Sequence, residues 1–332
     1  MKARQIPITY DYMSPRPSYL LNMTLAGYLP KSPTQDTTYT EPRLPSTSDK
    51  FALQPTHHLI YFSPMMRDGQ TAPDGTDPRQ APGQPFSRRM WAGGEVHFNN
   101  SPAKRLNLDN SRAACIESIV DVNVKKAETE NPLVFVSIER RMGSVREGES
   151  DAAVRERFSD DSEVAVKELR NVVFMKPTKL GAPVPKPRKQ VPEHQGKEDF
   201  SHTLVSNPKL LFRYSALTYN TRAIHLDPEF CKKSEGLKGL VFHGPLTLTL
   251  LATLLKNHLI QDSSTSGYTA IKSMKYRNTS PLFDGEPVKL SGRQTGDNTW
   301  SLWAETPEGN LAAVGEAVTE QAEGVPRDCL KM

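Results

Sequence analysis

Between Leu211 and Leu246 the chain reads LFRYSALTYNTRAIHLDPEFCKKSEGLKGLVFHGPL, and side chains able to do proton and carbonyl chemistry crowd into it. Gly244 and Pro245 open an apolar run. A helix starting there presents unpaired N–H groups and the positive end of its macrodipole. Gly244 lets an oxygen come close to its amide, and Pro245, which has no N–H, concentrates donation there. A carbonyl held at that amide would be polarised, lowering the barrier to an enolate at the adjacent carbon. His225 titrates near neutral pH and could carry the proton of that carbon. Asn220, five positions earlier, can position a water or a hydroxyl but cannot accept a proton. Each residue also has a plainer reading. Gly244-Pro245 could be an ordinary helix start, and His225 a turn histidine bonded to backbone. Arg222 either faces an anionic substrate or is a solvated turn arginine. Asp227-Pro228 reads as a helix N-cap with proline in the first turn.

The elements that must hold these residues follow from periodicity. The run from His243-Gly244-Pro245 to about Leu259 is apolar nearly all round, through Leu246, Leu248, Leu250, Leu251, Leu254 and Leu255. Such a helix has to be wrapped on all sides. Lys256 and His258 break the run, so it is too short to span a bilayer. Before it, Leu210 to Tyr219 is expected to be strand-like. After it, Ala270 to Arg277, Pro287 to Thr295, Thr299 to Thr306 and Leu311 to Val318 alternate as strands do. A curved antiparallel sheet around one helix is an α+β arrangement.

The first half repeats this outline. Ser14-Pro15 starts a helix carrying Tyr19, Leu20, Met23 and Leu25, and ESIVDVNV, LVFVSIER and LRNVVFM follow as strands. Ser63 to Pro85, rich in Pro, Gly and Asp, is a long loop. Lys176 to Pro192 has five prolines, five Lys or Arg and no acid, and reads as an extended linker. The division is 1–175, a linker at 176–200, and 201–332.

Composition closes off other classes. The 332 residues are 36% hydrophobic, which is enough for real cores, and the net charge of +4 is no nucleic-acid signature. Cys115, Cys231 and Cys329 are too scattered for a disulfide framework and suggest a reducing compartment. His57 and His58 are adjacent, hence on opposite faces if extended, and no other spacing suggests a metal site. There is no phosphate-cradling glycine loop, no dinucleotide fingerprint and no Gly-x-Ser-x-Gly elbow.

Asn220, His225, Asp227 and His243-Gly244-Pro245, followed by YRNTSPLFDGEPV at Tyr276 to Val288, resemble the MaoC-like hotdog hydratases and dehydratases. Within that group the chain is most similar to mesaconyl-CoA-hydratase-like proteins and the type 2 3-hydroxyacyl-thioester dehydratases. HHLIYFSP at His57, DGTDP at Asp74 and RRMWAGGEV at Arg88 extend the resemblance into the first half. It implies a double hotdog: two curved sheets, each around a helix, packed as a pseudo-dimer. Nothing in the first half resembles the Asn-x4-His unit with its His-Gly-Pro, so the resemblance implies one site, in the second half, with the first as a non-catalytic pseudo-subunit.

The activity implied is dehydration of 3-hydroxyacyl thioesters or hydration of enoyl thioesters. Asn220, His225 and Gly244 would be catalytic, and His243, Arg222, Trp91, Gly93, Arg88 and Arg89 would contact substrate. Asn220 stands where the commonest members have Asp, which puts a two-base mechanism in doubt. A double-bond isomerase and a non-catalytic carrier-binding protein are the rival readings. No cofactor is expected beyond coenzyme A or phosphopantetheine as part of the substrate, and no metal. An acyl carrier protein and a homodimer partner are open; nucleic acid and membrane are not expected. The cytoplasm is the default compartment, with mitochondrion and peroxisome as alternatives, the latter because Leu330-Lys331-Met332 is near a peroxisomal tripeptide.

Overall fold

The computed structural model describes residues 1–30, 44–72, 75–177, 196–262 and 268–322. Most of the linker, Asp74, Cys329 and the C-terminal tripeptide lie outside them. The first half consists of β1 (Thr9–Tyr12), α1 (Pro15–Leu25), β2 (Arg88–Phe98), β3 (Arg112–Lys125), β4 (Leu133–Ser144), α2 (Asp151–Arg157) and β5 (Val166–Met175). The second consists of β6 (Phe200–Val205), α3 (Pro208–Leu217), α4 (Pro228–Lys233), α5 (Gly244–Asp262), β7 (Tyr268–Asn278), β8 (Pro287–Gly296), β9 (Thr299–Glu305) and β10 (Leu311–Ala322).

The ten strands form one antiparallel sheet in the order β1-β3-β4-β5-β2-β7-β10-β9-β8-β6. Counted from its outer edge inward, each half runs first, third, fourth, fifth, second strand. The same connectivity therefore occurs twice, meeting where β2 pairs with β7. This is the α+β double-hotdog architecture.

Glycine makes that seam possible. In β2, Gly93 sits opposite Arg277 and Gly94 opposite Tyr276. Gly93 has φ +147°, and a Cβ there would collide with the Tyr276 carbonyl; one on Gly94 would collide with the Leu169 carbonyl. A register shift between Trp91 and Gly93 in the β2–β5 pairing re-aims the tryptophan. Trp91 to Gly94 is thus the interior of a strand.

α5 is the wrapped helix. Leu246, Leu250 and Leu255 have no exposed surface, and Leu248, Leu251, Leu254 and Leu259 are buried around the rest of its circumference. One hydrophobic cluster joins it to β7 through Ile271 and Met274, to β9 through Leu302, and across the seam to Val96 of β2. The two halves are not filled alike. Between α1 and β2 the described residues contain short 3-10 turns (Thr47–Asp49, His57–Ile60, Asp68–Gln70, Pro78–Gln80) and no counterpart of α5. The helix of the first half, α1, lies against α3 and the turn at His57.

The stretch Leu210 to Tyr219 is a correction, since it is mostly α3, not a strand. Asn207 caps that helix through Lys209 N–H and Pro208 sits in its first turn. Its buried residues, Leu210, Leu211, Tyr214 and Ser215, follow the helical period. The aromatic and leucine content reads as strand only if this cap is overlooked. His57 and His58 occupy a 3-10 turn and are both buried.

Splitting the chain would expose the seam edge of β7 and the apolar side chains beneath it. Residues 193–332 expressed alone are expected to self-associate, read by light scattering or sedimentation. A monomeric, fully active fragment would contradict the seam's role.

Candidate active site

The turn after α3 is built residue by residue. Tyr219 takes a left-handed conformation (φ 52°), which ends the helix and turns the chain. Asn220 N–H then donates to the Ser215 carbonyl (2.8 Å), and its side-chain oxygen accepts from Arg222 N–H (3.1 Å). Ala223–His225 forms a 3-10 turn, and Asp227 caps α4 by accepting from the N–H groups of Glu229 (2.8 Å) and Phe230 (3.0 Å). Asp227 is therefore a structural cap.

His225 is 6% exposed. Its Nδ1 lies 2.7 Å from the Val241 carbonyl, and Val241 N–H donates to the Ile224 carbonyl (3.0 Å). A carbonyl only accepts, so Nδ1 carries the proton and Nε2 carries the lone pair. The ring stacks on His243 with centroids 3.7 Å apart and planes at 20°. His243 is 1% exposed, its Nε2 is 2.8 Å from Ser215 Oγ, and the edge of Tyr214 meets its ring.

Burial lowers the His225 pKa to about 3, with Arg222 and Arg89 adding to the effect and the Val241 carbonyl opposing it. Burial also holds His243 well below the ordinary value, with lesser contributions from His225 and Arg222. Both rings are neutral at physiological pH.

Gly244 is the first residue of α5, where the helix itself supplies no acceptor for its N–H. A Cβ on Gly244 would come within 2.7 Å of Asn278 Nδ2 and 3.4 Å of Trp91 Cβ. Asn278 Nδ2 donates to the Trp91 carbonyl (2.9 Å), and Trp91 Nε1 donates to Tyr276 Oη (2.7 Å). α5, β2 and β7 thus converge at this amide.

A cavity of about 320 Å³ lies beside these groups. Asn220, Arg222, His243 and Trp91 are among the residues lining it, and so is Arg89. His225 and Gly244 are not among the lining residues, but each adjoins one that is: His225 stacks on His243, and Gly244 lies between His243 and Pro245 in the chain. Gly93 serves the seam. Arg88 is paired with Glu235 (2.6 Å), an ion pair that ties β2 to the segment after α4. The Arg222 guanidinium donates to the Arg89 carbonyl, so this turn is also pinned to β2.

Sequence reasoning missed the opposite wall. Arg140 and Arg170 line the cavity together with Glu117. Behind them Glu168, 1% exposed, contacts Arg170 Nε (2.9 Å), Arg140 Nη1 (3.2 Å) and His58 Nε2 (3.5 Å). Burial works to raise the Glu168 pKa, but Arg170, His58 and Arg140 outweigh it and hold the carboxylate well below its usual range. The Arg170 guanidinium lies 4.6 Å from the Trp91 ring centre. These side chains alternate along β3, β4 and β5 like any surface charges, and nothing in the local pattern marks them as buried. Asn278 and Ser215 were equally silent.

Among the described residues no group of three or more His, Cys, Asp or Glu could hold a metal ion, and no helix is long and apolar enough to cross a membrane.

The family model described as hydroxyacyl-thioester dehydratase type 2 matches residues 56–284. The chain is 31% identical to mesaconyl-C(4)-CoA hydratase of Chloroflexus aurantiacus over 78% of this chain and 81% of that protein. It is 27% identical to the mitochondrial hydroxyacyl-thioester dehydratase type 2 of Schizosaccharomyces pombe, over 87% of this chain and 90% of that one. Its fold resembles that of a MaoC-like dehydratase from Phytophthora capsici, with a TM-score of 0.61, 17% identity and coverage of 96% and 97% of the two chains.

Four buried histidines give stability a definite pH dependence. His57 and His225 are lowered to about 3, chiefly by burial, and His58 and His243 are also lowered from 6.5. The unfolded chain takes up protons as pH falls through about 6.5 that the folded chain refuses. Stability is thus full above that pH and lost below it, His57 and His225 each contributing about 1.4 kcal/mol per pH unit and His58 and His243 acting in the same direction. Urea midpoints should hold steady from about pH 8 to 7 and fall steeply from about pH 6.5 to 5. A flat midpoint down to pH 5 would show that these rings are not held neutral.

Proposed function

Because the chain belongs to the hydroxyacyl-thioester dehydratase type 2 family and acts as a hydro-lyase on acyl thioesters, we propose that a single site in its second half, formed by His225, Asn220 and Gly244, carries the reaction. The observation that carries this reading is the His225 ring. Val241 holds its Nδ1, so a lone pair stands on Nε2, one residue stack away from the cavity and from the start of α5.

The thioester oxygen accepts from Gly244 N–H, so the enolate charge develops at a helix N-terminus. In dehydration, His225 Nε2 takes the α-proton. The β-hydroxyl, held by the Asn220 amide, receives that same proton as the Cβ–O bond breaks, and water leaves. In hydration, Nε2 takes a proton from the water that attacks Cβ, then delivers it to Cα. Both directions start from neutral His225, the form that burial favours. Asn220 does not titrate, so one base serves both bonds.

In this reading the first half, residues 1–175, is a pseudo-subunit. It contributes Trp91, Arg89 and the charged wall of Arg140, Arg170 and Glu117, and the linker at 176–200 joins it to the catalytic half. The acyl group is carried on coenzyme A or on an acyl carrier protein, and no further cofactor is required. The mitochondrial naming of the fission-yeast relative favours the mitochondrion among the compartments considered.

A wall of arginine and glutamate, Arg140 buried and Arg170 and Glu117 half-buried, suits a short acyl group with an oxygen-bearing end, such as the dicarboxylic acyl of the Chloroflexus relative's name, better than a long alkyl chain. Turnover of enoyl thioesters should therefore be highest for short or carboxylated acyl groups and fall by about tenfold or more for eight-carbon chains. The reverse order would place the acyl group elsewhere.

Gly244→Val puts a branched side chain at the carbonyl-binding amide and into Asn278. It should cost about 10²–10³ in kcat, as for loss of one oxyanion donor. Undiminished turnover would exclude this amide as the carbonyl's donor.

His225→Ala should abolish turnover and leave thioester binding largely intact. Asn220→Asp adds a carboxylate beside the ring and stabilises its charged form. The acid limb of kcat/KM, which in the wild type lies below the ordinary histidine range, should then move to higher pH. An active His225→Ala enzyme, or an unmoved limb in Asn220→Asp, would contradict the assignment.

A further inference from the structure

The residue before the proposed oxyanion donor is itself a histidine, bonded through Nε2 while its buried Nδ1 has no hydrogen-bond partner among the described residues. The His243 imidazole is sandwiched: its face lies on His225 at 3.7 Å, and the edge of Tyr214 approaches it at 5.0 Å. Its Nε2 meets Ser215 Oγ at 2.8 Å. Ser215 is buried near the end of α3, and its carbonyl accepts from Asn220 N–H. The His243 carbonyl accepts from Thr247 N–H (3.1 Å), which fixes the first turn of α5. One residue therefore touches, through space or through the chain, all three groups assigned to the reaction: the His225 ring by stacking, Asn220 through Ser215, and Gly244 by the peptide bond.

We propose that His243 is a positioning residue: its imidazole, locked by Ser215 and joined directly to Gly244, sets the spacing and tilt of the His225 ring relative to the amide that holds the thioester oxygen. This rests on the assignment of His225 and Gly244 made above. The physical need is clear. The α-carbon must lie within reach of Nε2 while its own carbonyl sits on Gly244 N–H, and a misplacement of about 1 Å costs about a hundredfold in rate. Val241 restrains the His225 ring at one atom only. Rotation about that hydrogen bond would swing Nε2 away, and the flat face of His243 blocks it. Imidazole suits the task because it is flat enough to stack and also has a ring nitrogen to bond Ser215. His243 covers the ring against water as well. The charged groups acting on His225 are Arg222 from its own turn and Arg89 from β2; His243 adds a neutral surface.

The test compares three variants of the full chain by kcat, KM and the acid limb of the pH profile, using an enoyl thioester that the wild type hydrates. His243→Ala removes stacking and cover. Its kcat should fall about a hundredfold with KM within a few-fold of wild type, and its acid limb should move up toward the ordinary histidine range as water reaches the ring. His243→Phe keeps the flat cover and loses the bond to Ser215, so its limb should stay at the wild-type position with a smaller loss in kcat. Ser215→Ala, which leaves the ring in place, should also fold and lose about tenfold in kcat. Wild-type kcat and an unmoved limb in a folded His243→Ala would overturn the proposal, as would a loss confined to KM. If His243→Ala does not fold, wild-type kcat in both His243→Phe and Ser215→Ala overturns it. His225→Ala, run alongside, separates the two readings. If it is inactive while the His243 variants match wild type, only the positioning role fails; if it is active, the site assignment fails with it.

Discussion

Everything in this molecule depends on where the amide end of α5 comes to rest. A nineteen-residue helix that is apolar on every side can only be buried, and its N-terminus carries donors that its own backbone cannot satisfy. The fold places that end where β2 and β7 meet, under the Asn278–Trp91 link. The positions that allow this are the glycines. Gly93 and Gly94 let three strands close on one another, and Gly244 leaves room for Asn278. A half-buried helix end beside a cavity, with its first N–H on Gly244, is an electrostatic device, and the histidine pair adjoins it.

Duplicated connectivity gives the chain two halves of unlike filling. Each half lays down five strands in the same order, but among the described residues a long helix for the sheet to wrap occurs in the second half. The first half contributes the far wall of the cavity instead. That wall is charged, with Arg140, Arg170 and Glu117 on it, and beside it Glu168 is held ionised by two arginines and a histidine, an arrangement that is stable only while every partner stays in place. The network ties Arg140 and Arg170 together at the cavity edge through Glu168.

Much of this was legible in the residues. The helix start at Gly244, the all-round apolar face of α5, the alternating strands and the Asp227 cap each follow from local rules, and the structure has them. Asn220, Arg222, His243, Trp91 and Arg89, which the family resemblance alone brought together, line one cavity, while His225, Gly244, Gly93 and Arg88 do not. The failures have physical causes. Leu210 to Tyr219 is rich in residues that favour strands, and its helix is decided by the Asn207-Pro208 cap and by burial against α1. The roles of Ser215, Asn278 and Glu168 depend on partners 28 to 187 positions away along the chain, and no local pattern reports such a contact. Arg88 reads as a surface cation until Glu235 is found beside it.

The central claim is that one base, His225 Nε2, handles both the α-proton and the proton of the adding water. Hydration of an enoyl thioester in deuterium oxide tests it most directly. The stereochemistry of the 2-deuterio-3-hydroxyacyl product can be read from its proton coupling constants. A single base next to one face of the substrate delivers deuterium and hydroxyl to the same face, so syn addition is predicted. Anti addition would require a second proton-transferring group on the opposite face and would contradict the one-base site.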